Sequence, residues 1–164
     1  MKQTIMDASY FIEKLKLEPH PEGGFYKETF YSSFDVKNMD NNVRSAITSI
    51  YYLLKENEIS ALHRIKSDEI WYYHAGETLD LVAIDDYDDL QEFKLGPNIE
   101  NGELMQVPMR AGWIFGATCA KGFTLAGCAV APGFHFCDFE LMSKDSMLEE
   151  YPKYKAIIEK LCKD

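Results

Sequence analysis

Between residues 24 and 141 the chain is a succession of short runs rich in aromatic and β-branched side chains, each closed by Asn, Asp, Gly or Pro. The runs cover 24–33, 44–54, 58–64, 69–75, 78–85, 103–108, 112–118, 122–131 and 134–141. The breaks between them include Asp35–Asn42, Asp85–Asp89, Gly96–Gly102 and Pro132-Gly133. Runs of this kind with turn signals between them form strands. Parallel strands would need long, usually helical crossovers, and no central segment carries a helical period of that length. The pattern therefore predicts an antiparallel sandwich or barrel.

Helices are predicted only at the two ends. Asp7 opens a pattern in which Ala8, Phe11, Ile12 and Leu15 share a face, and Pro19 and Pro21 end it. Pro152 reads as the first residue of a closing helix, with Tyr154, Ile157, Ile158 and Leu161 on one face. No repeat, linker or low-complexity tract divides the 164 residues, so a single domain over 1–164 is expected.

Charge narrows the functional classes. A net charge of −10, with the lysines and arginines scattered, repels phosphate backbones and argues against a nucleic-acid partner. No apolar run approaches the roughly 20 residues that cross a bilayer, so no membrane partner is expected. Residues 1–7 lack the apolar core and small-residue cleavage site of a secretion leader, which makes the cytoplasm the expected compartment. Cys119, Cys128, Cys137 and Cys162 match no paired zinc spacing and are expected to be buried, reduced thiols in strands. Sequence leaves a disulfide between any two of them open.

Chemistry concentrates in residues 60–76, Ser-Ala-Leu-His-Arg-Ile-Lys-Ser-Asp-Glu-Ile-Trp-Tyr-Tyr-His-Ala-Gly. His63, with Ala61 and Ile59 on its face, precedes a turn at Lys66-Ser67-Asp68 that returns the chain so that Glu69 becomes its neighbour. Glu69, Trp71 and Tyr73 then alternate onto one face, and Ile70, Tyr72 and His74 onto the other. A carboxylate beside an imidazole orients it and stabilises its protonated form, so His63 reads as a general base, Glu69 as its orienting partner and Tyr73 as a weak acid. His74 falls on the opposite face, in a structural or interface role. His20 and His135 are isolated and are expected to be structural or exposed.

Two further segments stand out. In Pro19-His20-Pro21-Glu22-Gly23-Gly24-Phe25-Tyr26 the paired glycines permit positive φ or close approach of another backbone. Glu22 either reaches a ligand there or simply opens the turn into the first strand. Phe25, Tyr26 and Trp71 are candidates to stack on the ligand. Near the end, Asp138 and Glu140 share parity with Phe134 and Phe136, and one carboxylate, assigned as Glu140, is expected to face the cavity.

Taken together, Leu15-Lys16-Leu17-Glu18 with the segment just quoted, Ser67-Asp68-Glu69-Ile70-Trp71-Tyr72-Tyr73-His74-Ala75-Gly76, Leu95-Gly96-Pro97 and Gly127-Cys128-Ala129-Val130-Ala131-Pro132-Gly133-Phe134 resemble a small-cupin family of the Cupin_5 type, without assigned function. The resemblance implies an all-β double-stranded β-helix, the cupin jelly roll, with one open mouth and a short helix at each end. It also implies likeness to the cupin 3,5-epimerases of nucleotide-linked 4-keto sugars, which use a His base, a supporting carboxylate and a Tyr acid without metal, and frequent homodimers. The metal-binding cupin motifs are broken here. Ala61 and Ile65 flank His63 where a second histidine would stand, and with Gly112 taken as the motif glycine, Arg110 and Phe115 occupy the Pro and His positions. The expectation is thus a metal-free, cofactor-free epimerase-like enzyme acting on a small polar carbohydrate or nucleotide-sugar. Two alternatives stay open: a non-catalytic small-molecule binder and a metal-dependent cupin enzyme.

Overall fold

Among the described residues, thirteen strands alternate their side chains between an enclosed interior and two outer faces, and this alternation positions the site. In the computed structural model residues 6–163 are described; the opening residues 1–5, read above for a leader, lie outside them. The strands are β1 (Glu18–Pro19), β2 (Phe25–Tyr31), β3 (Asp35–Lys37), β4 (Val43–Ser45), β5 (Thr48–Lys55), β6 (Ile59–Ile65), β7 (Asp68–Gly76), β8 (Leu79–Ile84), β9 (Leu90–Leu95), β10 (Gln106–Met109), β11 (Ile114–Cys119), β12 (Phe123–Ala131) and β13 (Phe139–Leu141). They form a six-stranded sheet, β1-β2-β5-β12-β7-β10, a five-stranded sheet, β13-β6-β11-β8-β9, and a β3–β4 hairpin. Neighbouring strands in all three pair antiparallel. The two sheets face each other as the jelly-roll barrel.

The interior is filled by Tyr52, Trp71, Leu81, Val107, Met109 and Phe115 among others, each almost inaccessible to solvent. Each such side chain contributes about 1.5–3 kcal/mol by leaving water. Alternate residues point outward, and there the helices cover them. Helix α1 (Ala8–Leu15) lies over Leu53 and Leu125 of the six-stranded sheet. Helices α2 (Lys144–Glu150) and α3 (Lys155–Leu161) seal Leu62, Ile84 and Ile114 of the five-stranded sheet. The Asp7 carboxylate accepts the Tyr10 amide at 2.8 Å and caps α1 as expected, but the helix ends at Lys16 in a left-handed conformation, ahead of the prolines. Among the described residues no helix is long and apolar enough to cross a membrane.

Several elements differ from the sequence expectation. β9 is absent from the runs above because its alternation is broken on both faces: Gln91 stands with the inward Phe93 and Leu95, and Leu90 with the outward Glu92 and Lys94. Helix α2 is only seven residues long, too short for its period to register. Pro152 opens a 3-10 turn, and α3 starts three residues later. Within 134–141 only β13 is extended, because Phe136–Asp138 winds into a 3-10 turn. All four cysteines are free, but of the expected strand thiols only Cys119 and Cys128 lie buried in strands; Cys162 is buried at the end of α3, and Cys137 is exposed on that turn.

One irregularity decides where the site lies. Ser60 pairs with Ala117 and His63 with Phe115, so Ala61 and Leu62 together oppose Gly116 alone. This β-bulge offsets the alternation by one residue. Ser60 and His63, three apart, therefore both reach the interior, while Ile59 and Leu62 join the outer cluster. Ile59 accordingly does not share the face of His63. The bulge requires a glycine opposite, because a Cβ on Gly116 would stand 2.7 Å from the Ser60 carbonyl oxygen. We predict that Gly116→Ala forces the bulge apart and destabilises the fold by about 1–3 kcal/mol. A urea-denaturation midpoint equal to that of the parent would refute this.

Candidate functional site

The turn at Lys66-Ser67 does not fold β7 back onto β6. It carries the chain from the five-stranded sheet to the six-stranded one, so His63 and Glu69 reach the interior from opposite walls. Between them lies a cavity of about 250 Å³. His63, Glu69, Trp71, Tyr52, Cys128 and Ile50 line its depth, and Glu18, Lys27, Glu28, Thr48, Phe134 and Phe136 are also on its walls.

Glu22 and His20 complete it, and both come from the turn between β1 and β2. Gly23 and Gly24 have φ of +121° and +68°, and a Cβ on either would lie 2.0 Å from the Ile59 carbonyl oxygen or 2.6 Å from that of Leu53. Only glycines let this turn press between the sheets. The Tyr52 hydroxyl donates to the Gly23 carbonyl at 2.7 Å, the Ala61 amide to the Glu22 carbonyl at 2.9 Å, and the Lys163 ammonium to the Pro21 carbonyl at 2.9 Å. Clamped in this way, the Glu22 side chain points inward and is almost fully buried.

The carboxylate of Glu22 is the hub. Ser60 donates its hydroxyl to Oε1 at 2.8 Å, and Nε2 of His63 lies 3.3 Å from Oε2. His63 Nδ1 sits 2.7 Å from the Ala61 carbonyl, which can only accept, so Nδ1 carries a proton and Nε2 is the basic nitrogen. The His63 ring is held against Phe115, with centroids 4.3 Å apart. His20 Nδ1 accepts the Glu22 amide at 3.2 Å, so its 3.6 Å approach to Oε2 is not a hydrogen bond from that nitrogen. Burial pushes the His20 pKa down and keeps its ring neutral, with the proton on Nε2.

Glu69 occupies the opposite wall. Burial, reinforced by the negative charge of Glu22, raises its pKa to about 8, and a hydrogen bond with Cys128 only partly offsets this. It is a carboxylic acid at neutral pH. Burial likewise pushes the Cys128 thiol and the Tyr52 hydroxyl well up, so both stay protonated.

The candidate residues divide accordingly. His63, Glu69, Glu22, Tyr26 and Trp71 meet at the cavity. Three do not. Tyr73 lies further along β7, where its hydroxyl donates to the Gly76 carbonyl at 2.7 Å. Phe25 has outward parity and packs under α1 with the Lys55 ammonium over its ring, while its neighbour Tyr26 faces in. Glu140 is exposed and bound to Arg64 at 2.7 Å, and Asp138 is held by Arg44 through two hydrogen bonds. The carboxylate beside His63 is Glu22 and not Glu69. His74 is exposed beside Tyr51 on the outer face, and His135 is exposed. Sequence reading missed His20; its place between two prolines, two residues before Glu22, was the available signal.

These residues do not fit a metal centre. Among the described residues no group of three or more His, Cys, Asp or Glu side chains is placed to hold an ion, and the Phe115 ring packs on His63 where a second imidazole would coordinate.

The buried acid makes stability depend on pH. The folded-state pKa of Glu69 lies above its unfolded value, so its contribution is full at low pH and is lost as pH rises toward about 8. We predict that stability falls between pH 5 and 8 by up to about 1.4 kcal/mol per pH unit from this group, and that Glu69→Gln removes that slope. Denaturant titrations at several pH values check it, and identical slopes in the two proteins would contradict it.

Comparison with known proteins agrees with this architecture. The Cupin superfamily (DUF985) model, Cupin_5, matches residues 9–142. A hypothetical protein from Leishmania major is 37% identical, with a TM-score of 0.93 over 96% of this chain and 99% of that one. A protein from Shewanella oneidensis is 40% identical, with a TM-score of 0.90 over 97% and 99%. An oxalate decarboxylase of Bacillus subtilis shares the fold at 16% identity and a TM-score of 0.58, over 88% of this chain and 37% of that one. No curated protein matches the chain. A jelly-roll barrel whose interior opens into one polar cavity, matched by the family model over most of its length, belongs to the Cupin_5 (DUF985) family of the cupin superfamily.

Proposed function

We propose that the protein is an acid–base enzyme of the isomerase or epimerase type, acting on a small, sugar-like carbonyl compound. The observation that carries this reading is a basic imidazole backed by a buried carboxylate, facing a neutral carboxylic acid across one cavity. A free imidazole nitrogen and a carboxylic acid kept protonated by burial, facing each other across one cavity, can serve as base and acid. His63 Nε2 takes a proton from the carbon beside the carbonyl. Its 3.3 Å approach to Glu22 is longer than the roughly 2.7–2.9 Å of a formed charge-assisted hydrogen bond, and it tightens once the imidazolium forms. Glu69 delivers a proton from the opposite wall, the part first assigned to Tyr73. The cavity volume of about 250 Å³ suits one monosaccharide-sized molecule, with Trp71 and Tyr26 as aromatic walls.

Incubation of a ketose and aldose panel in heavy water, read by mass spectrometry, tests this. We expect deuterium at carbon, His63→Asn to lower the rate by about 10²–10⁴ while retaining the fold, and the rate to decline as pH passes about 8, where Glu69 loses its proton. Full exchange by the His63 variant would end the proposal, and binding with no exchange would favour a non-catalytic module.

We also propose a homodimer. Half of the exposed large apolar side chains among the described residues, Phe30, Tyr31, Phe34, Val36, Met39, Val43 and Ile47, fall within 30–47. β1 pairs only with Phe25 and Tyr26, leaving the outer edge of β2 from Lys27 to Tyr31 open. An open edge beside an apolar strip is a template for a second copy. Sedimentation should give a dimer that Tyr31→Glu with Phe34→Glu dissociates; a monomeric parent would refute it.

A further inference from the structure

The polar groups of the cavity are unevenly matched, and the mismatch describes the ligand. Its lining includes Glu18, Glu22 and Glu28 beside the protonated Glu69, against one cationic side chain, Lys27. A low-dielectric cleft of one sign focuses its field and repels like charge. Yet the deep groups left over are donors. The Trp71 indole N–H is fully buried and has no hydrogen-bond partner. His20, its Nδ1 occupied by the Glu22 amide, carries its remaining proton on Nε2, which makes no hydrogen bond among the described residues. The Glu22 carboxylate is already engaged on Oε1 by Ser60 and faced on Oε2 by His63, so it adds no acceptor for a ligand hydroxyl.

Resting on the isomerase reading, we infer that the cavity selects an uncharged ligand with closely spaced carbonyl and hydroxyl oxygens, of the aldose or ketose class, and rejects the same skeleton once it bears a phosphate or a carboxylate. Trp71 Nε1–H and His20 Nε2–H are the donors that take its oxygens, and the acidic wall is the filter. Nucleotide-linked sugars, with their two phosphates, fall outside this class. An unmade bond to a buried donor is unfavourable, so an oxygen that fills it is recognised strongly.

The test uses matched sets: a neutral ketose, its phosphate ester and the corresponding sugar acid, titrated by calorimetry up to about 100 mM. The neutral member should bind at least about tenfold more tightly than either anionic one, and Trp71→Phe, which keeps the ring but not the N–H, should weaken it by about tenfold. Glu22→Gln should narrow the gap to the phosphate ester. Equal or tighter binding of a charged member, no saturable binding of any neutral one, or unchanged affinity in the Trp71 variant would overturn the inference. Deuterium incorporation separates the two readings. A neutral sugar that binds without exchange sinks the isomerase assignment and leaves this one standing; exchange into a phosphorylated sugar does the reverse.

Discussion

The arrangement of this barrel depends on holding one carboxylate, that of Glu22, in its interior. An ionised carboxylate in a nearly dry site is tolerated only with hydrogen bonds and a group ready to balance its charge. Ser60 supplies the first and His63 the second, and both face inward only because β6 bulges opposite Gly116. Glu22 in turn arrives only because two glycines let its turn slip between the sheets. Bulge, glycine turn and buried charge are mutually dependent.

From that charge follows the electrostatics of the opposite wall. Two ionised carboxylates sharing a small cavity repel, and burial has already made charge unfavourable there, so Glu69 holds its proton. Glu22 accepts the Ser60 hydroxyl and faces His63, while Glu69 has only the weak hydrogen bond to Cys128. Two buried glutamates of one cavity thus differ by their surroundings and not by residue type. His20 extends the logic: burial keeps it neutral, and one backbone amide sets which nitrogen donates.

Rigid walls give this polar cluster its definition. The aromatic rings of Phe115, Phe139 and Tyr52 pack around the imidazoles and leave them little rotational freedom. Helices on both outer faces seal the sheets from behind, so the interior need not supply the whole core. That leaves room inside for a cavity without loss of packing elsewhere.

Much of the fold was legible along the chain, because strand alternation and turn chemistry are local properties. The antiparallel barrel, the capped first helix and the shared face of Trp71 and Glu69 follow from neighbours a few residues apart. β9 escaped notice because a polar Gln91 stands on its inner face and an apolar Leu90 on its outer one, and α2 because seven residues make only about two turns. What the tertiary structure alone decided is which groups meet. Glu22 and Ser60 are 38 residues apart in the chain, and their contact depends on how a glycine turn crosses to the other sheet. Tyr73 and Phe25 sit in stretches rich in site residues, yet position along a strand and parity turn them away from the cavity. Sequence by itself determined the residue types available for acid–base chemistry; long-range packing determined which carboxylate stands beside the imidazole, because that is set by sheet crossover and bulge geometry, which no local pattern encodes.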